Sequence, residues 1–203
     1  MRLRTCQLCL GLVLAATPVA RAAKAQNPDT MWSTPVGDTF SYEGKQHSVE
    51  SSPGLPKPIQ HESHSFGPPI VLGGWGAKRT PRLAAKHAAE YNLPFAPVTN
   101  VVGQFDRVRD ACDAVGRDPS TLTMSVAVVA CCGEDEAAFA QRAAAIGQEP
   151  EGLRANQLGG TADEVAERAA AYRDAGAQRL YLQVLDLHDL EHLHLLAETL
   201  RGI

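Results

Sequence analysis

From residue 69 onward the chain alternates short apolar runs with helical periods, and this alternation constrains the fold more than any other feature. Pro69-Ile-Val-Leu72 is an apolar run closed by glycines, and residues 80–89 then read as a helix with Pro81 in its first turn. A weaker strand, Glu90-Tyr-Asn-Leu93, precedes Phe105, Val108, Ala111, Cys112 and Val115, which keep the three-four spacing of an amphipathic helix that Gly116 ends. Residues 124–130 have almost no polar interruption, as expected of a strand covered on both faces. Helices are predicted over 134–146 and 161–175, the second with Thr161 as N-cap, Glu164 three residues on, and Gly176 as its stop. Arg179-Leu-Tyr-Leu-Gln-Val-Leu185 is the last strand and 187–200 the last helix. Strands separated by helices require right-handed crossovers, so the sequence predicts an α/β fold with about four parallel strands under covering helices.

Residues 1–30 have a different character. Arg2 and Arg4 precede an apolar stretch over 8–16, and Ala20-Arg-Ala22 or Ala23-Lys-Ala25 supplies a small-x-small site. These are the parts of a secretory signal peptide, although the stretch is too short to span a bilayer. The other reading is a foreign start joined to a body suited to the cytosol. Residues 31–67 are polar and rich in Gly and Pro, and read as an extended linker with one short hairpin, residues 39–42 and 45–49 around a turn at Glu43-Gly44. The main body is then 68–203.

A formal charge of −4 offers neither nucleic acid nor an anionic membrane the clustered Lys and Arg it would need. Cys6, Cys9, Cys112, Cys131 and Cys132 are too irregularly spaced for a disulfide framework, and free thiols are expected. The adjacent Cys131 and Cys132 end a strand, where successive side chains point to opposite faces and simply pack.

The chemistry-bearing candidate is Gly73-Gly74-Trp75-Gly76-Ala77-Lys78-Arg79-Thr80, lying between a strand and a helix. A glycine-rich turn lets backbone N–H groups approach an anion, the helix N-terminus adds partial positive charge, and Lys78 and Arg79 add full charges. Phosphate binding is the natural use, with a plain tight turn as the competing reading. His188-Asp-Leu-Glu-His192 matches a zinc-protease spacing, but Leu187, Leu190, Leu193, Leu196 and Leu200 make the buried stripe, which places both imidazoles on a solvated face. No metal site is therefore expected. His61 and His64 lie in the linker without a Ser-His-Asp order, and catalytic residues stay unassigned.

Three segments in order resemble the luciferase-like monooxygenase superfamily, specifically its deazaflavin-dependent branch. Phe40-Ser-Tyr-Glu-Gly-Lys45 with Leu55-Pro-Lys-Pro58 and Gln60 is similar to the approach to the fifth barrel strand. Pro69-Ile-Val-Leu-Gly-Gly-Trp-Gly-Ala-Lys-Arg-Thr80 is similar to the turn P-I-W-I-G-G-G-G-E-K-R-T. Gly159-Gly-Thr-Ala-Asp-Glu-Val-Ala-Glu-Arg168, Ala175-Gly176 and Arg179-Leu-Tyr-Leu-Gln183 match the closing segment. Trp75 stands where the family turn has glycine, and Glu90-Tyr91 where the family's A-D-G-W-N strand, here Ala88-Ala-Glu-Tyr-Asn92, has Gly-Trp.

The resemblance implies the C-terminal half of a TIM (β/α)8 barrel, a form that in full needs about 250 residues. It implies an oxidoreductase of monooxygenase or hydride-transfer type whose phosphorylated cofactor, coenzyme F420 or alternatively FMN, rests on Gly73, Gly74, Trp75, Gly76, Lys78 and Arg79. With the first four strands missing, a truncated protein incomplete in catalysis alone is expected, able to pair with a second copy through open sheet edges. A non-catalytic binding or regulatory module, secreted if the leader functions, is the alternative to a cytoplasmic enzyme.

Overall fold

The computed structural model describes residues 39–55 and 69–203. The leader-like segment, Cys6 and Cys9, most of the proline-rich linker, and His61 and His64 lie outside the described residues. Two compact units divide the chain, one containing residues 70–203 and the other the hairpin. In the hairpin, β1 (Phe40–Glu43) pairs antiparallel with β2 (Ser48–Ser52), with Tyr42 opposite Val49 and Glu43 opposite Ser48. Its turn is residues 44–47, closed by Gly44 N–H donating to the His47 carbonyl at 3.0 Å. The two-residue turn expected at Glu43-Gly44 is thus replaced by a longer one, because Glu43 still pairs in the strand.

The larger unit follows the expected alternation. In chain order it contains β3 (Val71–Gly73), α1 (Arg79–His87), β4 (Glu90–Pro94), α2 (Val98–Asp113), β5 (Thr123–Gly133), α3 (Glu136–Ala145), α4 (Pro150–Asn156), β6 (Leu158–Thr161), α5 (Ala162–Asp174), β7 (Arg179–Gln183) and α6 (Leu190–Thr199). Strands β3, β4, β5 and β7 lie side by side and all pair parallel, with Leu72 beside Tyr91, Tyr91 beside Met124, and Val128 beside Leu182. The sheet among the described residues is open and not a closed barrel. Three features were absent from the sequence reading: α4, β6, and a start to α2 seven residues before Phe105. The first two are short, and Gly103 interrupts the apolar period that marks α2.

Strand β5 is the spine. Its first half pairs with β4 and β7, and Ala130–Gly133 pairs with β6. Where strand pairing leaves its amides uncovered, glutamine side chains substitute: Gln178 Oε1 accepts from Met124 N–H at 2.8 Å and Gln157 Oε1 from Val129 N–H at 2.9 Å. A buried amide left unpaired would cost about 1–3 kcal/mol, so these polar side chains belong where they are.

Alternation along each strand sorts the sheet into two faces. Tyr91, Leu93, Met124, Val126 and Val128 point to the helices and are at most 4% exposed. Tyr91 meets Phe105 of α2 edge to face, with ring centroids 6.2 Å apart. On the opposite face Val71 and Tyr181 stay exposed, while the buried Glu90 carboxylate pairs with Arg179 and links β4 to β7 across β5. Cys131 and Cys132 divide as expected, Cys131 packing with Phe139, Ala143 and Leu153 and Cys132 with the main core. Burial raises both thiols to about 11, which keeps them protonated and inert.

Arg117 closes the lower end of α1. Its Nη1 donates to the carbonyls of Ala84, Ala85 and Ala88 at 3.3, 3.2 and 2.7 Å, and its Nε to Thr121 Oγ1 at 2.9 Å. These carbonyls lie in the last turn of the helix, where only Ala84 still accepts a helical bond, from Ala88 N–H at 3.0 Å, and a cation there also complements the helix dipole. Arg117→Ala is expected to lower stability by about 1–3 kcal/mol, read as a lower urea midpoint at unchanged slope. Arg117→Lys, which cannot reproduce the fork, is expected to recover less than half of it.

Candidate functional site

The turn after β3 is assembled from backbone geometry. Gly74 N–H donates to the Asn92 carbonyl at 3.3 Å, which prolongs the β3–β4 pairing by one residue and commits that amide to the sheet. Gly74 itself has φ +137°, a region closed to residues with a Cβ. Trp75 is not among the residues of positive φ, so a large side chain is compatible with the place where the family turn has glycine. A Cβ on Gly76 would lie 2.5 Å from Thr80 Oγ1 and 3.2 Å from Thr80 Cβ, so only glycine lets the first helical turn close against the loop.

The helix that follows is uncapped. Lys78 holds the N-cap position without a side-chain cap, and no acidic residue occupies the first turn of α1. The N-terminal partial positive charge is therefore unneutralised and adds to the exposed Lys78 and Arg79 side chains. Among the described residues no backbone carbonyl accepts from Trp75, Gly76 or Ala77 N–H. A cluster of free donors with two cations suits an anion.

Gly73, Gly74, Trp75, Gly76, Lys78 and Arg79 thus stand together at the C-terminal end of β3, on a glycine-shaped turn. Sequence reasoning missed the side chains that hold it from below. Tyr91 Oη donates to the Gly74 carbonyl at 2.6 Å, and Gln104 Nε2 donates both to Tyr91 Oη at 3.0 Å and to the Gly76 carbonyl at 3.2 Å. Arg107 Nη1 donates to Gln104 Oε1 at 2.8 Å. Burial, only partly opposed by Gln104 and Arg107, raises the Tyr91 pKa and keeps its hydroxyl a donor. One signal could have exposed Gln104: it is the single polar residue in the buried stripe Val101, Gln104, Phe105, Val108, Cys112 of α2.

Two aromatics flank the turn. Trp75 is half exposed and its Nε1 donates to the Pro94 carbonyl at 2.7 Å. The next residue, Phe95, is also half exposed and has φ +51°, a conformation that costs an aromatic residue about 1–3 kcal/mol. Tyr172 fixes the following segment by donating to the Ala96 carbonyl at 2.7 Å. Strain held at the C-terminal end of a strand fits a site rather than a linker.

The model of the luciferase-like monooxygenase family matches residues 29–150, more than half of the chain, and the chain belongs to that family. Solved structures of similar fold include an F420-dependent secondary alcohol dehydrogenase in complex with an F420–acetone adduct, at TM-score 0.67 and 14% identity over 85% of this chain and 58% of the other. A monooxygenase from Streptomyces bottropensis matches at TM-score 0.64 and 21% identity over 85% and 57%. The oxygenating constituent of 3,6-diketocamphane monooxygenase from Pseudomonas putida, a type II Baeyer–Villiger enzyme in complex with FMN, matches at 0.57 and 17% over 81% and 58%. This chain therefore spans under three-fifths of the length of these structures. No curated protein sequence matches it.

The histidine pair expected on a solvated helix face is arranged differently. Helix α6 starts at Leu190 with Asp189 as its cap, so His188 precedes it and cannot share its face with His192. Leu187 and Leu190 are exposed, whereas His192 is buried with Leu196 and Leu200. The buried face is thus rotated from the leucine stripe, because His192 Nε2 accepts from Cys132 N–H at 2.9 Å and draws the helix onto the end of β5. Among the described residues no group of three or more His, Cys, Asp or Glu is placed to hold a metal, and no helix is long and apolar enough to cross a membrane.

Burial, reinforced by the nearby Arg142 cation and opposed by Asp189, Asp186 and Glu134, lowers the His192 pKa. As pH falls, the unfolded chain therefore takes up this proton before the folded one. The contribution of neutral His192 is complete above the ordinary histidine value of 6.5 and is lost as pH drops below it toward the lowered folded value. Urea unfolding at pH 7.5 and pH 5 should show this loss in the wild type, and the loss should shrink in His192→Gln, whose amide oxygen accepts without titrating.

Proposed function

We propose that this chain supplies the phosphate-holding part of a luciferase-like oxidoreductase site for a phosphorylated flavin-type cofactor, coenzyme F420 or alternatively FMN. The observation that carries the reading is the cluster of amides at the uncapped N-terminus of α1 that no carbonyl among the described residues takes up, next to exposed Lys78 and Arg79. The turn suits a phosphate: the close approach of Thr80 to Gly76 folds the loop onto the helix N-terminus, and the loop carries no acidic side chain. In the sheet this turn lies at the C-terminal end of the strands, the end at which barrel enzymes place their chemistry.

Within this reading the backbone between Trp75 and Ala77 offers the donors, Lys78 and Arg79 neutralise charge, and Gly73, Gly74 and Gly76 shape the bend. Gly74 contributes conformation, since its own N–H belongs to the sheet. When bound, a flavin or deazaflavin supplies the redox chemistry, hydride transfer or oxygen activation. Trp75 and Phe95 would then offer apolar surface beside the turn and help exclude water. Both cofactors are supported by similar structures, one holding an F420–acetone adduct and one holding FMN.

FMN and riboflavin differ only in the phosphate, so their ratio of affinities isolates the turn. Fluorescence titration is expected to show FMN binding at least about tenfold tighter than riboflavin, the equivalent of one charge-assisted hydrogen bond or more. A parallel titration with coenzyme F420 ranks the two cofactors. Gly74→Ala, forced into a region its Cβ forbids, should erase most of the FMN advantage. Equal binding of FMN and riboflavin, with no binding of F420, would remove the basis for this function.

A further inference from the structure

We propose that Tyr91 and Gln104 are positioning residues that decide which amides of the turn face an anion, and that the donors they present are the N–H groups of Trp75 and Ala77. The inference rests on the cofactor reading above. It goes further by assigning the donors and the side chains that aim them.

A trans peptide is planar, so its carbonyl and the N–H of the next residue point in opposite directions. The Gly74 carbonyl is held inward by the Tyr91 hydroxyl at 2.6 Å, which turns Trp75 N–H outward. The Gly76 carbonyl is held inward by Gln104 Nε2 at 3.2 Å, which turns Ala77 N–H outward. Neither of these N–H groups donates to a backbone carbonyl among the described residues. The result is two outward donors on alternate peptides, a pattern that matches two oxygens of one phosphate. Gly74 N–H, committed to Asn92, takes no part.

The side-chain amide has no freedom to flip. Both Nε2 hydrogens of Gln104 are used, one on Tyr91 Oη and one on the Gly76 carbonyl, and its Oε1 accepts from Arg107. A flipped amide would set oxygen against the Gly76 carbonyl and nitrogen against a guanidinium. Arg107 thus fixes the orientation of Gln104, and Gln104 fixes the turn. Gln104 is 1% exposed and Tyr91 fully buried, so neither touches the ligand directly.

The test uses the full chain labelled with nitrogen-15. Titration with inorganic phosphate is expected to shift the Trp75 and Ala77 amide signals most and to leave Gly74 nearly unmoved. Tyr91→Phe keeps the ring against Phe105 and loses only the hydroxyl. Gln104→Met keeps length and loses both donors. Each is expected to weaken phosphate binding about tenfold, the worth of one hydrogen bond to a charged group, and to reduce the FMN-to-riboflavin ratio alike. A general loss of structure would instead weaken both flavins together. Shifts centred on Gly74, or a Tyr91→Phe protein whose FMN preference stays within about twofold of wild type, would overturn the positioning role while leaving the cofactor reading intact. If phosphate moves no amide of the turn in the wild type and FMN has no preference over riboflavin, both fall together.

Discussion

The hydrogen bond from Tyr91 to the Gly74 carbonyl connects the two halves of this molecule's logic, packing below and chemistry above. Tyr91 is the second residue of β4, fully buried, its ring against Phe105 and its hydroxyl reaching past the end of the neighbouring strand. The ring is placed by the helix that covers the sheet, and the hydroxyl then places the loop. Because burial keeps the phenol protonated, the donor persists across ordinary pH. A loop of glycines would otherwise have wide conformational freedom, and anchoring its carbonyls removes much of that freedom before any ligand arrives.

The same device recurs along the C-terminal edge of the sheet. Tyr172, from α5, holds the Ala96 carbonyl after β4; His192, from α6, holds the Cys132 amide near the end of β5. In each case a mostly apolar residue packs in the core and its polar tip satisfies a backbone group that the parallel ladder has left behind. Strand ends are where such groups become unpaired, and burial without a partner would be costly. The edge is therefore rigid on its inner side, and its outer side is left to exposed amides, aromatic rings and cations. The half-exposed Phe95 at positive φ, flanked by strand β4 and the Ala96 anchor, shows how such support can hold a strained residue in place.

Much of the architecture was legible in the chain itself. The apolar runs at 69–72, 124–130 and 179–185, with the weaker strand at 90–93 between the first two, became the four adjacent parallel strands, since short runs of this kind separated by helical periods have few other uses. Glu164 accepts from Thr161 N–H at 2.8 Å at the start of α5, as the spacing of the two residues predicts. The glycine turn stood out because Gly-Gly-Trp-Gly before a basic pair and a helix is a local pattern. Strand β6, only Leu158–Thr161, carried two glycines and too little apolar signal. The leucine stripe of α6 misled because its period says which residues share a face, whereas docking is decided by the partner surface.

By itself, the amino-acid order determined the parallel α/β succession, the place of the glycine turn and the opposed packing of Cys131 and Cys132. Each of these follows from interactions between residues close in sequence or from the strict two-residue alternation of a strand. Only the tertiary structure decided that Gly74 N–H is spent on Asn92, that Tyr91 and Gln104 grip the turn, and that His192 is buried. Those outcomes depend on side chains 13 to 60 residues apart meeting across strands and helices, as Gln104 meets Tyr91 and His192 meets Cys132. No local period encodes such a meeting, because it is set by how whole elements pack.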